Sequence, residues 1–160
     1  MKRIKLAIVD DHQIVIDGLL SLLVGHPNFE VACTTTDPRE MINLLESKNV
    51  DILLTDVMMP PMNGAELAKI VRKKYPSIKI LTLSMSGQGD IVNSMIEDAD
   101  ISGYVLKNIG KQELLNALEK IAGGGIYFSE EVLQEMTRAS TRKKEADQVH
   151  LTEREIEIIR

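Results

Sequence analysis

Three carboxylates, one hydroxyl and one amine stand at the ends of short apolar runs in this sequence. Asp10 and Asp11 follow residues 4–9, Asp56 follows the run 52–54, Ser84 follows 78–83, and Lys107 follows 102–106. A carboxylate can act as a nucleophile toward phosphorus and form an aspartyl phosphate. Three carboxylates gathered within about 4–6 Å would repel one another by a few kcal/mol per pair at an effective dielectric of about 20, so such a group requires compensation. A divalent cation together with Lys107 balances the three negative charges of Asp10, Asp11 and Asp56. A site of a few carboxylate oxygens plus waters suits Mg²⁺, which keeps part of its water shell and bridges protein to phosphate. Asp56, at the end of a central strand, is the best-placed nucleophile. The cation, Lys107 and the Ser84 hydroxyl would then stabilise charge on the equatorial phosphoryl oxygens.

These residues meet only if the apolar runs are neighbouring strands. The chain has 160 residues, 44% hydrophobic and 27% charged, which suits one compact domain with an appendage. Five runs (4–9, 29–33, 52–54, 78–83 and 102–106) are short, β-branched and nearly all apolar, the pattern of strands buried on both faces of a parallel sheet. Between and after them lie five segments with helical spacing, marked by Ile16 and Leu19, Met41 and Leu45, Leu67 and Val71, Met95 and Ala99, and Leu114 and Leu118. Asp37, Pro38 and Glu40 have the types and spacing of an N-cap, a first helical residue and a capping box. Five alternations predict a doubly wound (βα)5 domain, a five-stranded parallel sheet with helices on both faces. With strand order 2-1-3-4-5, the polar strand ends converge in one cleft near the point where the order reverses.

Several classes are excluded. Cys33 is the single cysteine, and His12, His26 and His150 are too scattered to complete a zinc site with it. The formal net charge of −5 argues against bulk electrostatic binding of nucleic acid. No apolar run approaches the ~20 residues of a membrane span, and the N-terminus leads straight into a strand, so no membrane role and a cytoplasmic location are expected. His12 is expected to be a first-turn surface residue, and Met58, Met59 and Met62 packing or loop residues.

Gly123, Gly124 and Gly125 stop the fifth helix, and Ser129 caps a short one reaching about Arg138. Residues 139–150 read as an exposed linker. Thr152 and Glu155 open a further helix, and the sequence ends within it at Arg160. The expected organisation is a main domain over 1–122, a short helix and linker over 123–150, and the start of a truncated output domain over 151–160.

The ordered pieces Val9-Asp10-Asp11, Asp56 to Gly64, Leu83-Ser84 and Gly103-Tyr104-Val105-Leu106-Lys107 resemble the receiver domain of two-component response regulators, a flavodoxin-like fold. The resemblance covers about residues 4–122. It implies that Asp56 accepts a phosphoryl group from a sensor histidine kinase. It also implies that Asp11, Asp56 and the backbone carbonyl of Met58 hold Mg²⁺, with Asp10 acting largely through water. Ser84 and Tyr104 match the family's switch pair, which reshapes the face built from the fourth helix, fifth strand and fifth helix. Leu151 to Ile159 resembles the opening of the helix-turn-helix domain in LuxR-type (NarL/FixJ-like) regulators, as do Asp10-Asp11-His12 and Gly125 to Ser129. The full-length protein is thereby expected to bind promoter DNA, and this fragment not to. A homodimer through the switch face, or through the first and fifth helices, is a further expectation. Two positions depart from the common receiver pattern: Asn108 where proline often follows the lysine, and Asp100 where glycine is frequent.

Three other readings compete. An aspartate-nucleophile phosphatase wants a second acid two residues after the nucleophile, and Met58 stands there. A nucleotide or flavin module wants a glycine-rich turn after the first strand, which is missing. A stand-alone receiver would act through protein contacts without DNA.

Overall fold

The structure, a computed structural model, describes residues 3–57, 59, 62–84, 95 and 99–128. Most of the fourth helical segment, Met58, and the expected helix, linker and output start beyond Phe128 lie outside the described residues.

Six parallel strands form one sheet in the order β2-β1-β3-β4-β5-β6. They are β1 (Ile4–Val9), β2 (Phe29–Thr35), β3 (Ile52–Asp56), β4 (Lys79–Ser84), β5 (Gly103–Leu106) and β6 (Tyr127–Phe128). The helices are α1 (Gln13–Leu23), α2 (Pro38–Ser47), α3 (Gly64–Lys74) and α4 (Lys111–Ala122), the last being the fifth helical segment of the sequence. The expected order of the first five strands holds. The sixth is an addition: two residues are too short to show a period, and Tyr127–Phe128 pairs only because the glycine turn after α4 brings it alongside β5. Gly124 takes φ +94 there, in the left-handed region, where glycine has no steric penalty.

Helices cover both faces. Leu6, Ile8, Leu54 and Val105 point to the side packed by Ile16 and Leu19 of α1 and Leu114 and Leu118 of α4. Ala7, Val9, Leu53 and Tyr104 point to the other side, against Met41 and Leu45 of α2, Leu67 and Val71 of α3, and Met95 and Ala99. Each fully buried Leu or Ile contributes about 1.5–3 kcal/mol relative to exposure, so two such layers hold the strand ends rigidly. The β1–β2 register shifts between Leu6 and Ala7, whose partners are Val31 and Cys33, so Ala32 is an extra residue in β2.

Asp37 caps α2 as expected, accepting from Arg39 N–H at 2.9 Å. The capping box is rerouted. Asp37 N–H donates to Thr35 Oγ1 at 3.1 Å, and that hydroxyl in turn donates to Glu40 Oε2 at 2.9 Å. Asp100 adopts φ +50, the left-handed conformation that Asp tolerates better than most residues. Arg72 holds this bend: its Nε and Nη2 donate to the carbonyls of Ala99 (3.1 Å) and Asp100 (3.0 Å), and Nη1 to that of Pro76 (2.8 Å). Arg72→Ala should lower stability by about 2 kcal/mol in urea denaturation, since three charge-assisted bonds go at once. Arg72→Lys should recover little, because an ammonium cannot span three carbonyls as the planar fork does.

Candidate functional site

The carboxyl ends of β1, β3, β4 and β5 bring the predicted residues together. Asp10 is fully buried just past β1, Asp56 is 3% exposed at the end of β3, and Asp11 is half-buried beside them. Lys107 reaches across from the end of β5, with Nζ 3.0 Å from Asp10 Oδ2 and 3.1 Å from Asp56 Oδ1. Its backbone N–H donates to the carbonyl of Ser84 at 2.8 Å, which ties the ends of β4 and β5. Ser84 and Tyr104 are both fully buried.

The charges are only partly balanced. One ammonium serves two carboxylates, with Asp11 as a third. Burial, reinforced by the negative charge of Asp10, therefore raises the Asp56 pKa above its ordinary value of 3.8, against the opposing pull of Lys107 and the Val57 N–H. For Lys107, burial pushes the ammonium toward neutrality, but its bonds to Asp10 and Asp56 outweigh this and raise its pKa above 10.5. The lysine is thus charged across the neutral range, and its contribution to stability is lost only as pH rises through that folded value.

Asp56 Oδ1 accepts from Val57 N–H at 2.7 Å and lies 3.1 Å from Lys107 Nζ. The loop after β3 returns at once to start α3. Gly64 N–H donates to Val57 carbonyl at 2.7 Å, and Asn63 caps the helix by accepting from Glu66 N–H at 2.8 Å. A Cβ on Gly64 would collide with the Asp56 carbonyl oxygen. Gly64 was legible as part of the motif, but its packing role was not, because the collision involves a residue eight positions earlier.

His12 adds to the group. It is exposed, as expected of a first-turn residue, yet Nδ1 lies 2.9 Å from Asp11 Oδ1 and 3.3 Å from Asp10 Oδ1. Single ligand atoms from Asp10, Asp11, His12 and Asp56 all fall within 4.8 Å of one another. The three carboxylates and Lys107 sum to two negative charges, which fits a divalent, oxygen-preferring cation.

A doubly wound sheet with an acidic cleft and a lysine at these strand ends defines the receiver class. Residues 6–119 match the profile of the response regulator receiver domain, and the chain belongs to that family. Among individual proteins, it is 34% identical over 157 residues to the nitrate/nitrite response regulator NarL of Escherichia coli K12, covering 96% of this chain and 72% of that one. It is 30% identical over 151 residues to the transcriptional regulatory protein DegU of Brevibacillus brevis, covering 94% of this chain and 64% of the relative. A solved structure of two RcsB dimers bound to two parallel DNAs superposes with a TM-score of 0.77 at 29% identity, covering 85% of this chain and 69% of that one. The chain thus spans about two thirds of the length of these relatives. The family consists mainly of regulators rather than enzymes, and among the described residues no helix is long and apolar enough to cross a membrane.

Proposed function

We propose that this receiver takes a phosphoryl group on Asp56 from a phosphohistidine of a sensor histidine kinase. The observation that carries this reading is the placement of Lys107 between Asp10 and Asp56, with Lys107 and the Val57 N–H converging on Asp56 Oδ1. A carboxylate oxygen of Asp56 forms the new bond to phosphorus as the P–N bond breaks, and the electron pair leaves with the imidazole nitrogen. Lys107 follows the developing charge on the phosphoryl oxygens, assisted by the Ser84 hydroxyl. Asp10, Asp11 and Asp56, with the carbonyl of Met58, would hold Mg²⁺, which supplies charge neutralisation when bound.

The transferred charge is read out by Ser84, the last residue of β4, and by Tyr104, two residues before the end of β5. The receiver takes in residues 1–122 and the sixth strand at Tyr127–Phe128, followed by a helix and linker to 150 and the start of an output domain over 151–160. The longer protein acts as a transcription regulator on promoter DNA, a reading supported by the name of DegU and by the DNA complex of RcsB. It dimerises through the face around β5 or through α1 and α4.

The test is intact-mass measurement after incubation with a small acyl phosphate and Mg²⁺. One phosphoryl group should be added, and none to Asp56→Asn or in the presence of a chelator. Equal uptake by Asp56→Asn would overturn the assignment. Sustained hydrolysis of a phosphate monoester over many equivalents would favour the phosphatase reading instead.

A further inference from the structure

Asn63-Gly64, at the start of α3, is the one place in the chain where glycine follows asparagine. That dipeptide is chemically labile, because glycine has no Cβ to shield its amide nitrogen. The Gly64 nitrogen can attack Asn63 Cγ. An N–C bond forms as the Cγ–Nδ2 bond breaks, and ammonia leaves with the proton given up by the Gly64 nitrogen. Water then opens the five-membered imide at either carbonyl, giving aspartate or isoaspartate, in which the main chain runs through the former side chain. In the folded receiver both reacting ends are committed elsewhere. Gly64 N–H donates to the Val57 carbonyl at 2.7 Å, and Asn63 Oδ1 accepts from Glu66 N–H at 2.8 Å. Asn63 is extended, with φ −80 and ψ 166, and ring closure needs ψ turned well away from that value. Gly64 is buried against the backbone of Asp56 and Val57, which leaves its peptide no room to turn.

We infer that Asn63-Gly64 is a deamidation site that the fold keeps closed, and that isoaspartate formed there in unfolded chains disables the receiver after refolding. An unfolded chain has none of these restraints, so the rate of modification tracks the unfolded population. Isoaspartate lengthens the main chain by one methylene between residues 63 and 64, where the backbone contacts of Gly64 leave no slack. It also leaves its free carboxylate directly on Cα, too short to cap Glu66 N–H as Asn63 does. The start of α3 then shifts against the end of β3, which carries Asp56. The aspartate product has a normal main chain and a good capping side chain, and is harmless. The loss of phosphoryl uptake rests on the acceptor role proposed for Asp56, whereas the deamidation itself does not.

The experiment ages the full chain at mildly alkaline pH, in buffer and in denaturing guanidinium, and follows Asn63 by peptide mass mapping with enzymatic methylation to count isoaspartate. Deamidation should be at least about a hundredfold slower in buffer. Arg72→Ala, altered at the far end of α3, should deamidate faster in buffer by the factor by which its unfolding constant rises. Returned to buffer, isoaspartyl chains should take up phosphate from a small acyl phosphate and Mg²⁺ at least about tenfold more slowly, since a misplacement of about 1 Å can cost about a hundredfold. Asn63→Asp should match the wild type. Equal deamidation in buffer and guanidinium, or wild-type uptake by isoaspartyl chains, overturns the inference. A fresh wild-type chain that gains no phosphoryl group overturns the acceptor reading and leaves the guarded deamidation standing.

Discussion

Asp56→Asn is expected to melt at a higher temperature than the wild type when both are free of metal, and to take up no phosphate. The sign follows from the raised pKa. The folded protein holds the Asp56 proton more tightly than the unfolded chain does, for which 3.8 is the ordinary value. The resulting stabilisation is complete below that unfolded value and is lost as pH rises through the folded one. At neutral pH the ionised Asp56 therefore works against the fold, being buried beside Asp10 with Lys107 shared between them. Asparagine removes that charge, and its amide oxygen can still accept from the Val57 N–H and Lys107. A gain of about 1 kcal/mol would raise the midpoint of a domain this size by ~2–4 °C. The difference should vanish below pH 3.8. Mg²⁺ at a hundredfold its dissociation constant should stabilise the wild type by about 2.7 kcal/mol and the variant by less, narrowing or inverting the order. Calorimetry at pH 7 with chelator decides the matter: a less stable Asp56→Asn would mean that the Lys107 contact outweighs burial and the Asp10 charge.

Gly64→Ala should be the most damaging single-methyl change in the chain's functional end. The added Cβ meets the Asp56 carbonyl oxygen directly, with Asp56 C and Val57 Cα each at 3.1 Å. All three are backbone atoms at the end of a central strand, so no flexible side chain can yield. Relief would require moving the start of α3 away from β3, breaking the Gly64 to Val57 hydrogen bond and disturbing the Asn63 cap. Overpacking of this kind costs typically 1–3 kcal/mol, and the lost bond about 1 more, so a loss of ~3 kcal/mol and roughly 10 °C in midpoint is expected. Phosphoryl uptake at a temperature where the variant remains folded should also slow, because the strained loop carries the Asp56 backbone. Wild-type stability in thermal denaturation would show that the loop moves freely.

The parts of the fold that the sequence made legible are those set by long, repeated patterns. Nearly all-apolar runs identified β1 to β5, and the polar residues ending four of them identified Asp10, Asp56, Ser84 and Lys107. What escaped were features decided across the sheet or within two or three residues. Tyr127–Phe128 carries no period, and its pairing follows from a turn after α4 and a bare Gly103. Glu40 matched a capping box by spacing, yet Thr35, five residues upstream and brought near by the end of β2, captured both partners. His12 looked like an isolated surface residue because its contact with Asp11 depends on how the chain leaves β1 for α1. Phe29, Val31 and Cys33 alternate as one face would, but the extra Ala32 sends Phe29 and Val31 to one layer and Cys33 to the other.

That extra residue also bears on how copies of the molecule meet. β2 and β6 are the two rims of the sheet, where unpaired backbone groups could template a foreign strand. The kink in β2 breaks the even row of amides and carbonyls on one rim, and two residues are too few to seat an incoming strand on the other. Neither rim offers a ledge for sheet growth. Among the described residues, an incoming molecule therefore meets helices and cleft loops rather than an open strand edge.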